Sequence, residues 1–289
     1  MRDGFSRPQA DATIGYEIMN SSALQKGITC MNFSERSDCA IVGRVPCLLN
    51  DNAHVWLLSP NVLSSFEGLK DTLLDHDEKI RLARISNLIA GAKWGQTRSA
   101  LRYVLAEYAH QDPAKLVFEY GSRGKPILVN SGGVEFSLSH SHGYAVIAIA
   151  QDTTIGIDIE KIRSRSYDEL AERILGPGAI VQYHNMDARM RSQVFALAWS
   201  EREAFAKMLG IGIGDGWEQL LPLFSKFALS IELVSGKRKS LGGHSLHYLK
   251  SWPNFATVMC SARPQARIEV IRPSGVNIPL TVSGIDILS

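Results

Sequence analysis

The sequence predicts an α+β protein made of two similarly organised halves. Three observations carry this. Helical periodicity runs from Ser64 to about His110 and gives way to short strands separated by turns. The same order, helices and then strands, returns further along the chain. Between the two runs lies Ile155-Gly156-Ile157-Asp158-Ile159-Glu160, in which isoleucines alternate with Gly156, Asp158 and Glu160. A strand there sends the isoleucines to one face and both carboxylates to the other. The chain divides into an N-terminal extension, residues 1–50, and two α+β subdomains, 51–152 and 153–289. The similar organisation suggests a pseudo-duplicated protein, although no repeat can be aligned by eye.

Composition narrows the class. At 289 residues and 45% apolar content there is material for a sizeable core. The 31 basic and 29 acidic residues leave a net charge of +2, which argues against a tail-like nucleic-acid binder. No apolar run approaches the ~20 residues that cross a bilayer, and Met1 to Ala10 lack the apolar stretch of a secretion signal. A cytoplasmic protein with no membrane partner is expected. Cys30, Cys39, Cys47 and Cys260 show neither C-x-x-C pairing nor zinc spacing and read as reduced thiols.

Residues 1–50 show no sustained period, and His54–Leu58 is the first clear strand, closed by Ser59-Pro60. Leu69, Leu73 and Leu74, then Ile80 to Ile89, then Leu101 to Tyr108 mark helices. Asp75 with Glu78 three residues on predicts a capping box for the middle one, and Asp112-Pro113 stops the last. Strands follow at Leu116–Tyr120, Ile127–Val129, Val134–Ser139 and Tyr144–Ala150, punctuated by Gly121–Pro126 and Ser131-Gly132-Gly133. After the Asp158/Glu160 strand, helices are expected near Tyr167–Leu175 and Gln193–Leu209, the first running into Leu175-Gly176-Pro177-Gly178. Strands are expected near Phe227–Val234, Ser245–Lys250, Ala256–Ser261 and Ile268–Ile271.

Several stretches carry chemistry. Two acids on one strand face repel unless a cation or polar network lies between them, and hard oxygen ligands favour Mg²⁺ or Mn²⁺ over zinc. An isolated D-x-E is more often a solvated strand end. Phe195, Trp199, Glu203 and Lys207 recur every four residues, an aromatic stripe running into an acid and a base; alone, this reads as a surface Glu-Lys pair worth ~0.3–0.5 kcal/mol. Ser139-His140-Ser141-His142 ends a strand in hydroxyls and imidazoles. Neighbouring strand residues point to opposite faces, so a Ser-His nucleophile pair is discounted, and phosphate binding by these donors needs only proximity. Lys125 sits in the Gly124-Lys125-Pro126 turn, while Lys93, Arg98 and Arg102 make a basic ridge open to a phosphate or to water. Gly210–Gly216 follows a helix and lacks dinucleotide spacing, and His244-x-x-His247 lacks the glutamate and spacing of a zinc protease.

Taken in order, Gly124-Lys125-Pro126, Phe136-Ser137-Leu138-Ser139-His140-Ser141, Gly156-Ile157-Asp158-Ile159-Glu160 and Trp199-Ser200-Glu201-Arg202-Glu203-Ala204-x-x-Lys207 resemble the 4′-phosphopantetheinyl transferases of the surfactin-synthetase-activating type. The likeness is sharp between Gly124 and Gly210. It implies a pseudo-two-fold pair of α+β halves, acting as a monomer, with coenzyme A and Mg²⁺ in the cleft between them. The pantetheine arm passes to a serine of an apo acyl or peptidyl carrier protein, and 3′,5′-ADP is released. By this resemblance Asp158, Glu160 and Glu203 are the metal ligands, Glu203 takes the serine proton, and Lys207 neutralises the departing group. Lys125, Ser139 and His140 hold coenzyme A, helped by Arg98 and Arg102. The family usually has Lys-Glu where this chain has Arg202-Glu203, which keeps the charge but replaces a point charge with a fork. A non-catalytic coenzyme A or carrier binder of this fold, and a Mg²⁺-dependent nucleotide phosphatase, are the rival readings.

Overall fold

A computed structural model of the chain describes residues 48, 51–211, 224, 238–263 and 267–273. Mixed helix and strand confirms the α+β class. In chain order, β1 (Asn52–Leu58) is followed by α1 (Pro60–Ser64), α2 (Lys70–Leu73), α3 (His76–Ala83) and α4 (Leu88–Ala109). Next come β2 (Phe118–Tyr120), β3 (Pro126–Leu128), β4 (Val134–Ser141), β5 (Tyr144–Gln151) and β6 (Ile155–Lys161). Helices α5 (Asp168–Ile174), α6 (Pro177–His184) and α7 (Ala188–Leu209) lead to β7 (Arg238–Leu241), β8 (His244–Tyr248), β9 (Phe255–Ser261) and β10 (Arg267–Ile271).

Local signals explain the helix ends. Asp75 and Glu78 form the reciprocal capping box of α3. Asn87 caps α4, which ends at His110 in the left-handed region, ahead of Asp112-Pro113. Asp187 accepts from Met190 N to open α7, and Gly210, at φ 70°, closes it. Gly210 is thus a helix C-cap, in keeping with rejection of a dinucleotide loop.

Two four-stranded sheets position the site. The first runs β10-β1-β5-β4 and the second β6-β9-β8-β7, and a small β2-β3 ribbon stands apart. One face of the first sheet, with Trp56, Ile147, Ile149 and Phe136, packs on Leu101, Val104 and Leu105 of α4. Its other face, with Val55, Val146 and Ala148, packs on Ile155, Ile157 and Ile159 of β6. Those isoleucines are fully buried, so Gly156, Asp158 and Glu160 face the opposite way. There α7 lies over the second sheet, with Phe205 and Met208 against Leu246, Val258 and Cys260.

Two elements were not expected from the sequence. Leu175-Gly176-Pro177-Gly178 starts a helix: Pro177 occupies the first turn of α6, where its missing N–H and fixed φ are harmless. Strand β7 had no counterpart in the sequence reading, and the strand expected near Phe227–Val234 lies outside the described residues.

Candidate active site

The site is built where α7 meets β6. Lys207 of α7 reaches the strand because the helix backbone lies directly against it at Gly156, and Glu203, one turn earlier, is near enough to feel the charges of Asp158 and Glu160. A Cβ on that residue would stand 2.0 Å from Ala204 O and 2.4 Å from Met208 N. Lys207 Nζ donates to Asp158 Oδ1 at 2.7 Å and to Ser139 Oγ at 3.0 Å, and the Ser139 hydroxyl donates to the same Oδ1 at 2.8 Å. Asp158 is 3% exposed, and its Oδ2 has no hydrogen-bond partner among the described residues.

Ser139 belongs to a wider device that sequence reasoning missed. Strand β4 edges the first sheet and β6 edges the second. The serines of β4 bridge the two edges: Ile157 N donates to Ser137 Oγ at 3.0 Å, Lys161 N to Ser141 Oγ at 3.3 Å, and Ser141 Oγ reaches Glu160 Oε2 at 3.4 Å. Hydroxyls here satisfy edge groups that a neighbouring strand would otherwise take. The period-2 run Ser137, Ser139, Ser141 was the available signal.

The acids are electrostatically coupled. Burial, joined by the charges of Asp158 and Glu160 and opposed by Lys207, pushes the Glu203 carboxyl up to about 7. Burial and Asp158 also raise Glu160, against the Ser141 hydrogen bond and the Lys207 and Arg163 cations. Among the described residues, no three His, Cys, Asp or Glu side chains already stand in a metal-holding arrangement. The donor set nevertheless fits a hard divalent cation, since it supplies carboxylate oxygens, mutual repulsion to relieve and the buried, unpartnered Oδ2 of Asp158.

The other predicted residues are distributed differently. His140, on the face of β4 opposite Ser139, is exposed and borders a cavity of about 440 Å³ with Lys93, Trp94, Gln96, Thr97 and His142. Partial burial and the nearby Arg163, Lys161 and Lys93 cations lower His142, which marks this rim as electropositive. Lys125 is tied to backbone instead: its ammonium donates to Ile155 O at 3.2 Å and Met208 O at 3.5 Å, near the carbonyl end of α7. Burial lowers its pKa.

The basic ridge is corrected. Arg98 and Arg102 are 7% and 0% exposed and turn inward to Glu78, with Arg102 also pairing with Asp75. Arg102 Nη1 further donates to the carbonyls of Pro113 (2.7 Å) and Leu116 (3.0 Å), and both guanidinium groups lie over Phe118. They hold α3, α4 and the start of the β2-β3 ribbon together. Arg202 is likewise interior, donating to Ala198 O at 2.8 Å and lying over Phe224, with burial lowering it to about 10. Beside it Tyr248 donates to Glu201 at 2.6 Å. The guanidinium fork at 202 therefore packs on Phe224, within the core that α7 shares with the second sheet.

Comparison with known proteins follows the same lines. Residues 154–259 match the 4′-phosphopantetheinyl transferase superfamily. HetI of Nostoc sp., a 4′-phosphopantetheinyl transferase, is 32% identical over 171 residues, 57% of this chain and 72% of its own length. A Synechocystis sp. protein that carries that activity's name provisionally is 31% identical over 153 residues, 52% of this chain but only 62% of its own. Sfp of Bacillus subtilis is 29% identical over 170 residues, 57% of this chain and 71% of its own.

Proposed function

Because the chain belongs to the 4′-phosphopantetheinyl transferase superfamily, we propose that it moves 4′-phosphopantetheine from coenzyme A to a serine of an apo acyl or peptidyl carrier protein. The serine oxygen forms a bond to phosphorus as the pyrophosphate P–O bond breaks, and 3′,5′-ADP departs. We further take residues 51–152 and 153–289 as a pseudo-two-fold pair working as a monomer. Each includes a 22-residue helix, α4 or α7, lying against a four-stranded sheet, and β10 returns to the first sheet.

The observation that carries this reading is the meeting of Asp158 from β6 with Lys207 from α7, beside Glu160 and Glu203. Asp158, Glu160 and Glu203 would hold Mg²⁺, or Mn²⁺ in its place; the ion would supply charge stabilisation at the reacting phosphoryl group. Glu203 would take the serine proton, a contribution of roughly 10²–10⁴-fold in rate. Lys207 supplies positive charge for the leaving 3′,5′-ADP. His140, Lys93 and the basic surroundings of His142 offer donors for the phosphates of coenzyme A in the adjoining cavity.

In this account Lys125 braces the site from behind, Ser139 fixes Asp158, and Arg98 and Arg102 are structural. The test is incubation of the purified protein with coenzyme A, Mg²⁺ and apo carrier proteins. A carrier mass gain of one phosphopantetheine supports transfer; release of inorganic phosphate without an acceptor would point to a phosphatase and contradict it.

A further inference from the structure

We infer that the Lys207 ammonium and a divalent cation are alternative counter-charges for Asp158, so that taking up the ion moves Lys207 off the carboxylate. The inference rests on the preceding assignment of Asp158 as a metal ligand and adds to it a competition inside the site.

Three observations support it. Asp158 is 3% exposed at the middle of a strand, so its charge needs a partner and the carboxylate has little room to move. The partner is Lys207, 2.7 Å from Oδ1, and Ser139 holds both groups in place. The two donors converge on Oδ1, leaving Oδ2 without a hydrogen bond among the described residues.

A doubly charged ion on this carboxylate would lie within a few ångströms of the ammonium, where like-charge repulsion is strong in a partly buried setting. Lys207 can yield. Its side chain is 29% exposed and has a flexible four-carbon stem, whereas that of Asp158 is 4% exposed. Displacement would leave a free ammonium at the edge of the acid cluster, where an anionic leaving group needs one. Lys207 would then couple ion uptake to readiness for the departing 3′,5′-ADP.

The test is Mn²⁺ titration without coenzyme A, followed by paramagnetic resonance, on the full-length wild-type protein, Lys207→Met and Asp158→Asn. Lys207→Met should bind Mn²⁺ at least ~10-fold more tightly than wild type, through loss of the competing charge. Mn²⁺ should also raise its thermal midpoint more than that of wild type, a readout that remains useful if the variant is less stable. Asp158→Asn should lose binding. Unchanged or weaker Mn²⁺ affinity in Lys207→Met, with binding still dependent on Asp158, would overturn the competition alone. Wild-type affinity in Asp158→Asn would overturn the metal assignment and the competition with it.

Discussion

Gly156 lies beneath Ala204: a Cβ at 156 would approach the Ala204 carbonyl oxygen to 2.0 Å. This close packing lets Lys207, one helical turn beyond Glu203, reach an aspartate on the strand itself. The Gly156→Ala variant must lift α7 from β6, because the atoms in the way are backbone. Overpacking of this kind costs roughly 1–3 kcal/mol or more. A lowered denaturant midpoint is expected, with a fall in transfer rate larger than the loss of folded protein accounts for.

Glu203 predicts a pH signature for the protein kept in chelator. Its folded-state pKa, about 7, lies above the ordinary 4.5. The folded state therefore holds the proton more tightly, and that stabilisation is complete below pH ~4.5. It is lost as the pH rises through 7. Glu203→Gln removes the titration, so its thermal midpoint should match wild type near pH 4.5 and exceed it by a widening margin up to pH ~7.5. Thermal melts across this range check it, and a margin that shrinks with rising pH would be the wrong sign.

Lys125 is expected to behave as a brace. Lys125→Met removes charge-assisted hydrogen bonds to Ile155 O and Met208 O, each worth roughly 1.5–3 kcal/mol at good geometry and less at these lengths. Urea denaturation should show a loss of about 1–2 kcal/mol. In steady-state kinetics the change should fall on kcat more than on the KM for coenzyme A.

Arg102 is expected to be the more severe loss. Arg102→Met empties a fully buried position, leaves Glu78 with Arg98 alone, and takes a donor from Asp75 and two carbonyls. Removing one partner of a buried ion pair costs about 3–5 kcal/mol, so the midpoint of unfolding should drop sharply. Equal stability of Arg102→Met and wild type would show that the network is dispensable.

Much of this architecture is legible in the sequence where a period reports it. Alternation fixes which face of β6 carries Asp158 and Glu160, and a four-residue spacing puts Glu203 and Lys207 on one side of α7. The Asp75/Glu78 capping box is equally readable. The same spacing misleads at Arg98 and Arg102, because a helical ridge looks alike whether it faces water or an acid 20 to 27 residues earlier. Only the tertiary fold brings Asp75 and Glu78 to them. Lys125 illustrates the same limit: a lysine in a glycine turn gives no hint that its partners are carbonyls 30 and 83 residues away. Helix α6 was readable at Pro177, because proline in a first helical turn is itself a start signal.

The most direct test compares wild type with Glu203→Gln in one assay, following mass gain of an apo carrier protein with coenzyme A and Mg²⁺ at pH 7.5. The account predicts steady modification by wild type and a rate at least ~100-fold lower in the folded variant, as expected for loss of a general base that is also an ion ligand. A variant that modifies the carrier as fast as wild type would contradict the assignment of the acid cluster as the reaction centre.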